Sequence, residues 1–178
     1  MADTFLSPLG DYSAVADFCG VKSLPPPAGF ERAVDAAARA VRSKCGPVLS
    51  EALTHRMYAT RDAVVLPYRV AVLTSVTPTG GTADTLTDYY ADGQLVRRVD
   101  GGAIAAGTIA YTSGWAHEDV PADLLGAGFE IARHLWVTQL GNQRNGGSGA
   151  DQPGAAWLWP RQAEALAADY MLAPLGFA

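Results

Sequence analysis

Apolar residues in this chain keep two rhythms. They recur every third or fourth position between 11 and 46 and again after 121, whereas between about 54 and 114 they alternate. The first spacing lines up one face of a helix and the second one face of a strand. In "SPLGDYSAVADFCGV", Asp11 or Ser13 can cap a short helix whose Val15, Phe18 and Cys19 fall on one side, and Gly20 can end it. From Phe30 onward, Phe30, Val34, Ala37, Val41 and Cys45 predict a second helix, with Asp35 and Arg39 one turn apart as a possible ion pair and Gly46-Pro47 as its stop. Between the two helices, Pro25 to Pro27 predict an extended connector, because each ring fixes φ and removes a backbone donor.

In the middle region, Val64-Val65-Leu66, the alternating Val70, Val72, Thr74 and Val76, "YYADGQLVRR" and "TIAYT" predict strands of a small antiparallel sheet. Asp92-Gly93 is the strongest hairpin signal, since a two-residue β-turn needs positions that tolerate positive φ. Residues 77–85 read as a polar, mobile loop within the sheet. After Pro121, Leu125, Phe129, Ala132, Trp136 and Leu140 form a stripe widened by Leu124, Ile131 and Leu135, predicting a central helix over 121–140. The Gly-rich segment 141–154 has almost no apolar content and reads as a flexible loop. A last helix over 160–173 places Ala163, Leu166, Tyr170 and Met171 on one side and stops at Pro174, leaving an apolar tail over 174–178. The expectation is a single α+β domain over 1–178: a bundle of about four helices (11–46, 121–140, 160–173) with an antiparallel β insertion (54–114) between the second and third.

Composition narrows the function. With 178 residues, 49% of them hydrophobic, the chain can bury a substantial core. Charged residues make up 17% and the net charge is −5, so no overall field draws it onto nucleic-acid phosphates. No stretch reaches the ~18 apolar residues of a membrane span, which predicts a soluble protein. Cys19 and Cys45 have no C-x-x-C spacing and no secretory-type segment opens the chain, so a reduced cytosolic setting is expected.

The candidate chemistry is thin. His117-Glu118-Asp119 is not H-E-x-x-H, because position 121 is proline. A structural role explains it better: Pro121 suits a first helical position, and Glu118, Asp119 and Asp123 crowd a helix N-terminus that favours anions by about 0.3–1 kcal/mol each. His134 reads as a partly buried structural residue and His55 as a lone residue before a strand, and there is no nucleophile elbow. The 141–149 glycines lack the G-K-[ST] ending that cradles phosphate. The cysteines read as small buried thiols. No catalysis, metal or cofactor is expected. Arg97-Arg98 reads as a solvated arm or a contact with an acidic partner, while Trp157, Trp159 and Phe177 in the apolar tail are either core or partner surface.

The order of pieces nevertheless has a family look. A helix ending in "KCG", a β segment with "YRVAVLTSV" and "DYYADGQLVRR", then "GTIAYTSGWAHEDVPADLLGAGFEIARHLW" and a last helix with "ALAADYMLAPL" resemble the head-to-tail connector (adaptor) proteins of long-tailed bacteriophages, especially those of actinobacterial hosts. The most specific run comprises Tyr111, Thr112, Gly114, Trp115, Val120, Pro121, Asp123 and Leu124. This resemblance implies a ring of twelve subunits docked beneath the portal protein in the virion, assembled in the host cytoplasm and receiving a head-completion (stopper) protein. DNA would pass through its lumen without specific binding, with no membrane involved. Carried over, Tyr170, Met171, Leu175 and Phe177 become candidate portal contacts. Arg97, Arg98, Trp157 and Trp159 become candidates for the neighbouring subunit or next ring. The triple proline and the 141–154 segment depart from the pattern. Free subunits are expected to stay monomeric until the portal orders the loop and tail. A head-closure or tail-terminator ring protein is the alternative, and a small hydrolase using His117 and Glu118 the distant one.

Overall fold

The computed structural model describes residues 4–7, 11–22, 27–140 and 159–172. The loop 141–154, Trp157, the 174–178 tail with Leu175 and Phe177, and Pro25 and Pro26 of the connector lie outside the described residues. The fold is mixed α+β, with helices α1 (Ser13–Phe18), α2 (Ala28–Cys45), α3 (Ala122–Leu135) and α4 (Arg161–Ala167). Six strands fall between α2 and α3 in chain order: β1 (Glu51–Met57), β2 (Ala63–Val65), β3 (Val72–Pro78), β4 (Tyr89–Asp92), β5 (Leu95–Arg98) and β6 (Gly107–Ser113). The described residues group into two compact units: a helical one of residues up to 45 and from 120 to 171, and a β one of residues 46–119 with Leu172. Among the described residues no helix is long and apolar enough to cross a membrane.

In the helical unit, α1 starts where the Asp11 carboxylate accepts the Ser13 N–H at 2.9 Å. It ends where Gly20, at φ 69°, lets Val21 N–H return to the Ala16 carbonyl and its own N–H to Asp17. All five residues of the α2 stripe, Phe30, Val34, Ala37, Val41 and Cys45, are buried. In α3 the buried residues are Leu124, Ala127, Gly128, Ile131, Ala132 and Leu135, at i, i+3, i+4, i+7, i+8 and i+11, so that Ala132 of the predicted stripe is buried while Leu125, Phe129 and Trp136 flank the centre half-buried. The residues expected to widen the stripe are its middle. Helices α3 and α4 each begin directly after a proline. Pro121 (φ −55°, ψ 135°) and Pro160 (φ −54°, ψ 136°) are extended, and their carbonyls accept the first helical bonds from Leu125 and Glu164. Proline thus precedes the first helical position rather than occupying it.

The central helix runs in α form only to Leu135 and continues as one π turn over Trp136–Leu140. There the Thr138 hydroxyl donates to the His134 carbonyl at 2.6 Å, a local bond that competes with the regular ladder. Trp136 meets Phe30 edge to face, 5.3 Å between centroids. Gly128 permits close packing: a Cβ there would come within 2.5 Å of Leu6, which is itself 2% exposed.

The β unit holds two three-stranded antiparallel sheets, in the orders β1-β6-β3 and β2-β5-β4. They share one core of Met57, Val64, Leu66, Val76, Tyr89, Val96, Ile104, Ile109 and Tyr111. The β4–β5 hairpin forms where Asp92-Gly93 predicts it, but Asp92 pairs with Leu95, so Gly93 (φ 59°) and Gln94 occupy the turn. A bulge at Thr74 breaks the alternation of β3: Leu73 opposes Tyr111 and Val76 opposes Ile109. A bulge turns the strand over, so Val76 is buried (1%) while Val72, expected on the same face, is 61% exposed. The 79–85 loop is tied at both ends, by Thr79 N–H to Ala106 and Asp84 N–H to Val76, with the Tyr89 hydroxyl bonded to the Asp84 carboxylate. Gly107 allows β6 to approach β3, since a Cβ there would lie 2.2 Å from the Thr77 carbonyl oxygen.

Candidate docking surfaces

The β2-β5-β4 sheet presents an outward face built by strict alternation. Register places Ala63, Arg97 and Tyr90 in one row and Val65, Leu95 and Asp92 in the next. Val65 is 53% and Tyr90 45% exposed, and Arg97 points outward between Ala63 and Tyr90. A tyrosine and an arginine side by side, with Val65 and Leu95 in the next row, is the residue chemistry of interface anchors. Val65 and Tyr90 were missed by sequence reasoning. The signal was present in the alternation of "YYADGQLVRR", which puts Tyr90 and Arg97 on one face.

Arg98 faces the other way and is engaged within its own chain. Its Nε and Nη2 donate to the two Asp100 carboxylate oxygens at 3.1 and 2.9 Å, and Asp100 also accepts the Gly102 N–H at 2.8 Å. These bonds hold the Asp100 carboxyl below its ordinary range. The Arg98 guanidinium lies 5.8 Å from the Tyr89 ring centroid. Burial, and then the bond to Asp84, push the Tyr89 hydroxyl up to about 12. Arg98 therefore locks the turn after β5, and of the arginine pair Arg97 is the one available to a partner.

In the helical unit Trp159 is 5% exposed. The Lys44 ammonium stands 4.4 Å above its ring and forms an ion pair with Glu164 at 3.2 Å. As a docking residue, Trp159 would first have to be uncovered. Beside it an open groove of ≈ 450 Å³ is lined by Ala36, Arg39, Ala40, Ser43, Lys44, Leu135 and Trp159. Tyr170 closes a 3-10 turn (Ala168–Tyr170) after α4, and Met171, half-buried, donates its N–H to Ala167. Both lie past the end of α4 rather than on its face.

The histidines do not converge. His117 is half-buried in a 3-10 turn (His117–Asp119) whose Glu118 and Asp119 are exposed. His55 lies within β1 opposite Ile109, and His134 is exposed rather than buried. Among the described residues no group of three His, Cys, Asp or Glu side chains is placed to hold a metal ion. Cys45 is buried and Cys19 half-buried, where burial pushes its thiol up to about 11.

No family model matches the chain, and no curated protein does. Three solved structures share its fold over almost its whole length. They are a chain of the virion of the native gene transfer agent particle (TM-score 0.55, 19% identity), one of the neck of the empty particle computed with C6 symmetry (0.61, 18%) and one of the neck of the native particle computed with C12 symmetry (0.58, 18%). Each likeness covers 99% of this chain and 95% of the other. At this identity what is shared is the fold.

Proposed function

We propose that the chain is a structural protein of the neck of a phage-like particle, and more finely a head-to-tail adaptor that forms a ring under the portal. One observation carries this reading: a likeness that spans both the helical and the β unit and leaves almost none of either partner uncovered, to proteins of particle necks computed with C6 and C12 symmetry. Twelve copies are compatible with both symmetries. The motif run from Tyr111 to Leu124 points to the same class independently of the fold.

In this reading the surfaces do the work and no reaction is assigned. Tyr170 and Met171, with Leu175 and Phe177 beyond them, grip the portal, an apolar segment gaining binding energy by burial against a pocketed partner. Arg97, beside Tyr90 and Val65, meets the neighbouring subunit or the head-completion ring, with Trp157 as a further contact, Trp159 joining it only once uncovered, and Arg98 holding the hairpin in shape. A net charge of −5 suits a channel that must release the DNA it passes.

Deleting residues 173–178 tests the portal assignment. The truncated chain is expected to keep its circular dichroism spectrum and melting temperature but to lose co-sedimentation with portal-bearing particles. Docking that persists would remove the tail from the portal contact. An adaptor joins the portal directly. A chain that joins particles only after another ring is in place would be a head-closure protein instead.

A further inference from the structure

We infer that the groove beside α2 receives the outer face of α1 from a second copy of this chain, so that the helical unit carries both halves of a head-to-tail contact. The inference rests on the ring reading above and specifies its subunit interface.

The groove has an apolar floor and a basic rim. Ala36 and Ala40 leave it open, Leu135 and Trp159 supply its apolar wall, and Lys44 is held at one end by Trp159 and Glu164. Arg39 on the rim is exposed and has no hydrogen bond or ion pair among the described residues; the Asp35–Arg39 pair suggested by the spacing does not form.

The outer face of α1 has the opposite character. Ala14, Asp17 and Phe18, at i, i+3 and i+4, all face solvent. Phe18 stays 42% exposed although its ring packs on Phe129 at 5.5 Å, and Asp17 is in no ion pair among the described residues. An exposed phenyl ring beside a free carboxylate complements an apolar groove with a free guanidinium on its rim.

The two surfaces do not meet within one copy: Phe18 packs on Phe129 of α3, and Asp17 forms no ion pair with Arg39. A contact between two different patches is heterologous, and repetition closes it into a ring when the rotation allows.

The test uses the full chain assembled on portal-bearing particles, because free subunits are expected to stay monomeric, with Ala14→Cys and Ala40→Cys introduced where Cys19→Ser and Cys45→Ala have removed the native thiols. A short bismaleimide should give a ladder of covalent oligomers beyond the dimer, while each single-cysteine chain stops at dimers. Asp17→Arg or Arg39→Asp alone should abolish the ladder, and an equal mixture of the two should restore it, because each altered face then meets its complement. Circular dichroism of the free chains checks folding, and electron microscopy of the particles separates the outcomes. Rings without a ladder, or charge variants that change nothing, would overturn this interface and leave the ring reading standing. Neither rings nor a ladder would overturn the interface and count against the ring reading as well. A ladder displaced by added duplex DNA in an Arg39-dependent way would make the groove a nucleic-acid track and likewise overturn the inference.

Discussion

The two units bury their interiors by different means. The helical unit relies on small residues: Ala16, Ala33, Ala37, Ala127, Ala132, Ala163 and Ala167 are all buried, and Gly128 lets Leu6 press against the α3 backbone. The β unit relies on bulk, and its core cluster contains no alanine, only Met, Val, Leu, Ile and Tyr. Helices brought close by small side chains have no room to grow, whereas sheets joined through large ones have no material to spare. Each unit is therefore fragile in its own direction.

The largest effect should come from removing bulk where bulk does the work. Ile109, fully buried at the centre of β6 opposite both His55 and Val76, is expected to cost about 2–5 kcal/mol on Ile109→Ala, read from denaturant unfolding at constant slope. A loss well under this range would break the comparison. In the helical unit the informative change is an addition. Gly128→Ala should gain about 1 kcal/mol of helix propensity yet destabilise overall, because displacing Leu6 costs about 1–3 kcal/mol. Gly126→Ala on the same helix, whose new Cβ would meet only the half-exposed Leu166 at 3.3 Å, should be neutral or stabilising. Equal signs at the two glycines would remove the packing argument.

The smallest effects are electrostatic and belong to the β unit. Tyr89 is raised in the fold, so its contribution is fully present below the ordinary tyrosine value near 10 and is lost as pH rises through about 12. It should be among the last tyrosines to ionise in an alkaline absorbance titration. Asp100 is lowered, so its bonds to Arg98 and Gly102 support the turn above the ordinary carboxylate value and fade as pH falls below it. Asp100→Asn should reduce the acid-side part of this dependence, leaving the share of Asp11, which is lowered by its bond from Ser13, and the alkaline part.

How much of this was legible beforehand follows the physics of each element. The α2 stripe was fully readable because one helix face meets one core, and the Asp92-Gly93 hairpin because positive φ restricts its residues so strongly. The bulge at Thr74 was not, since an inserted residue changes the pairing without leaving a mark in composition. The face of α3 was misjudged by one position, because its centre includes Gly128, whose lack of a side chain is its function. Of the candidate site, Arg97 could be located by alternation alone. The engagement of Arg98 could not, as it depends on a turn that brings Asp100 back two residues later. The burial of Trp159 needed tertiary structure, which sets Lys44 over its ring across more than a hundred residues of chain.

That lysine has a practical consequence. The chain contains only Lys22 and Lys44, and Lys44, its side chain 40% exposed, stands at the end of the α2 groove. Amine-directed labelling followed by mass spectrometry can therefore follow whether the groove is covered at what amounts to one of two internal positions, with the other serving as its reference. Neutralising that amine would also strip Trp159 of its cation and Glu164 of its counter-charge in a single step, so the label reports on the groove and perturbs it at once.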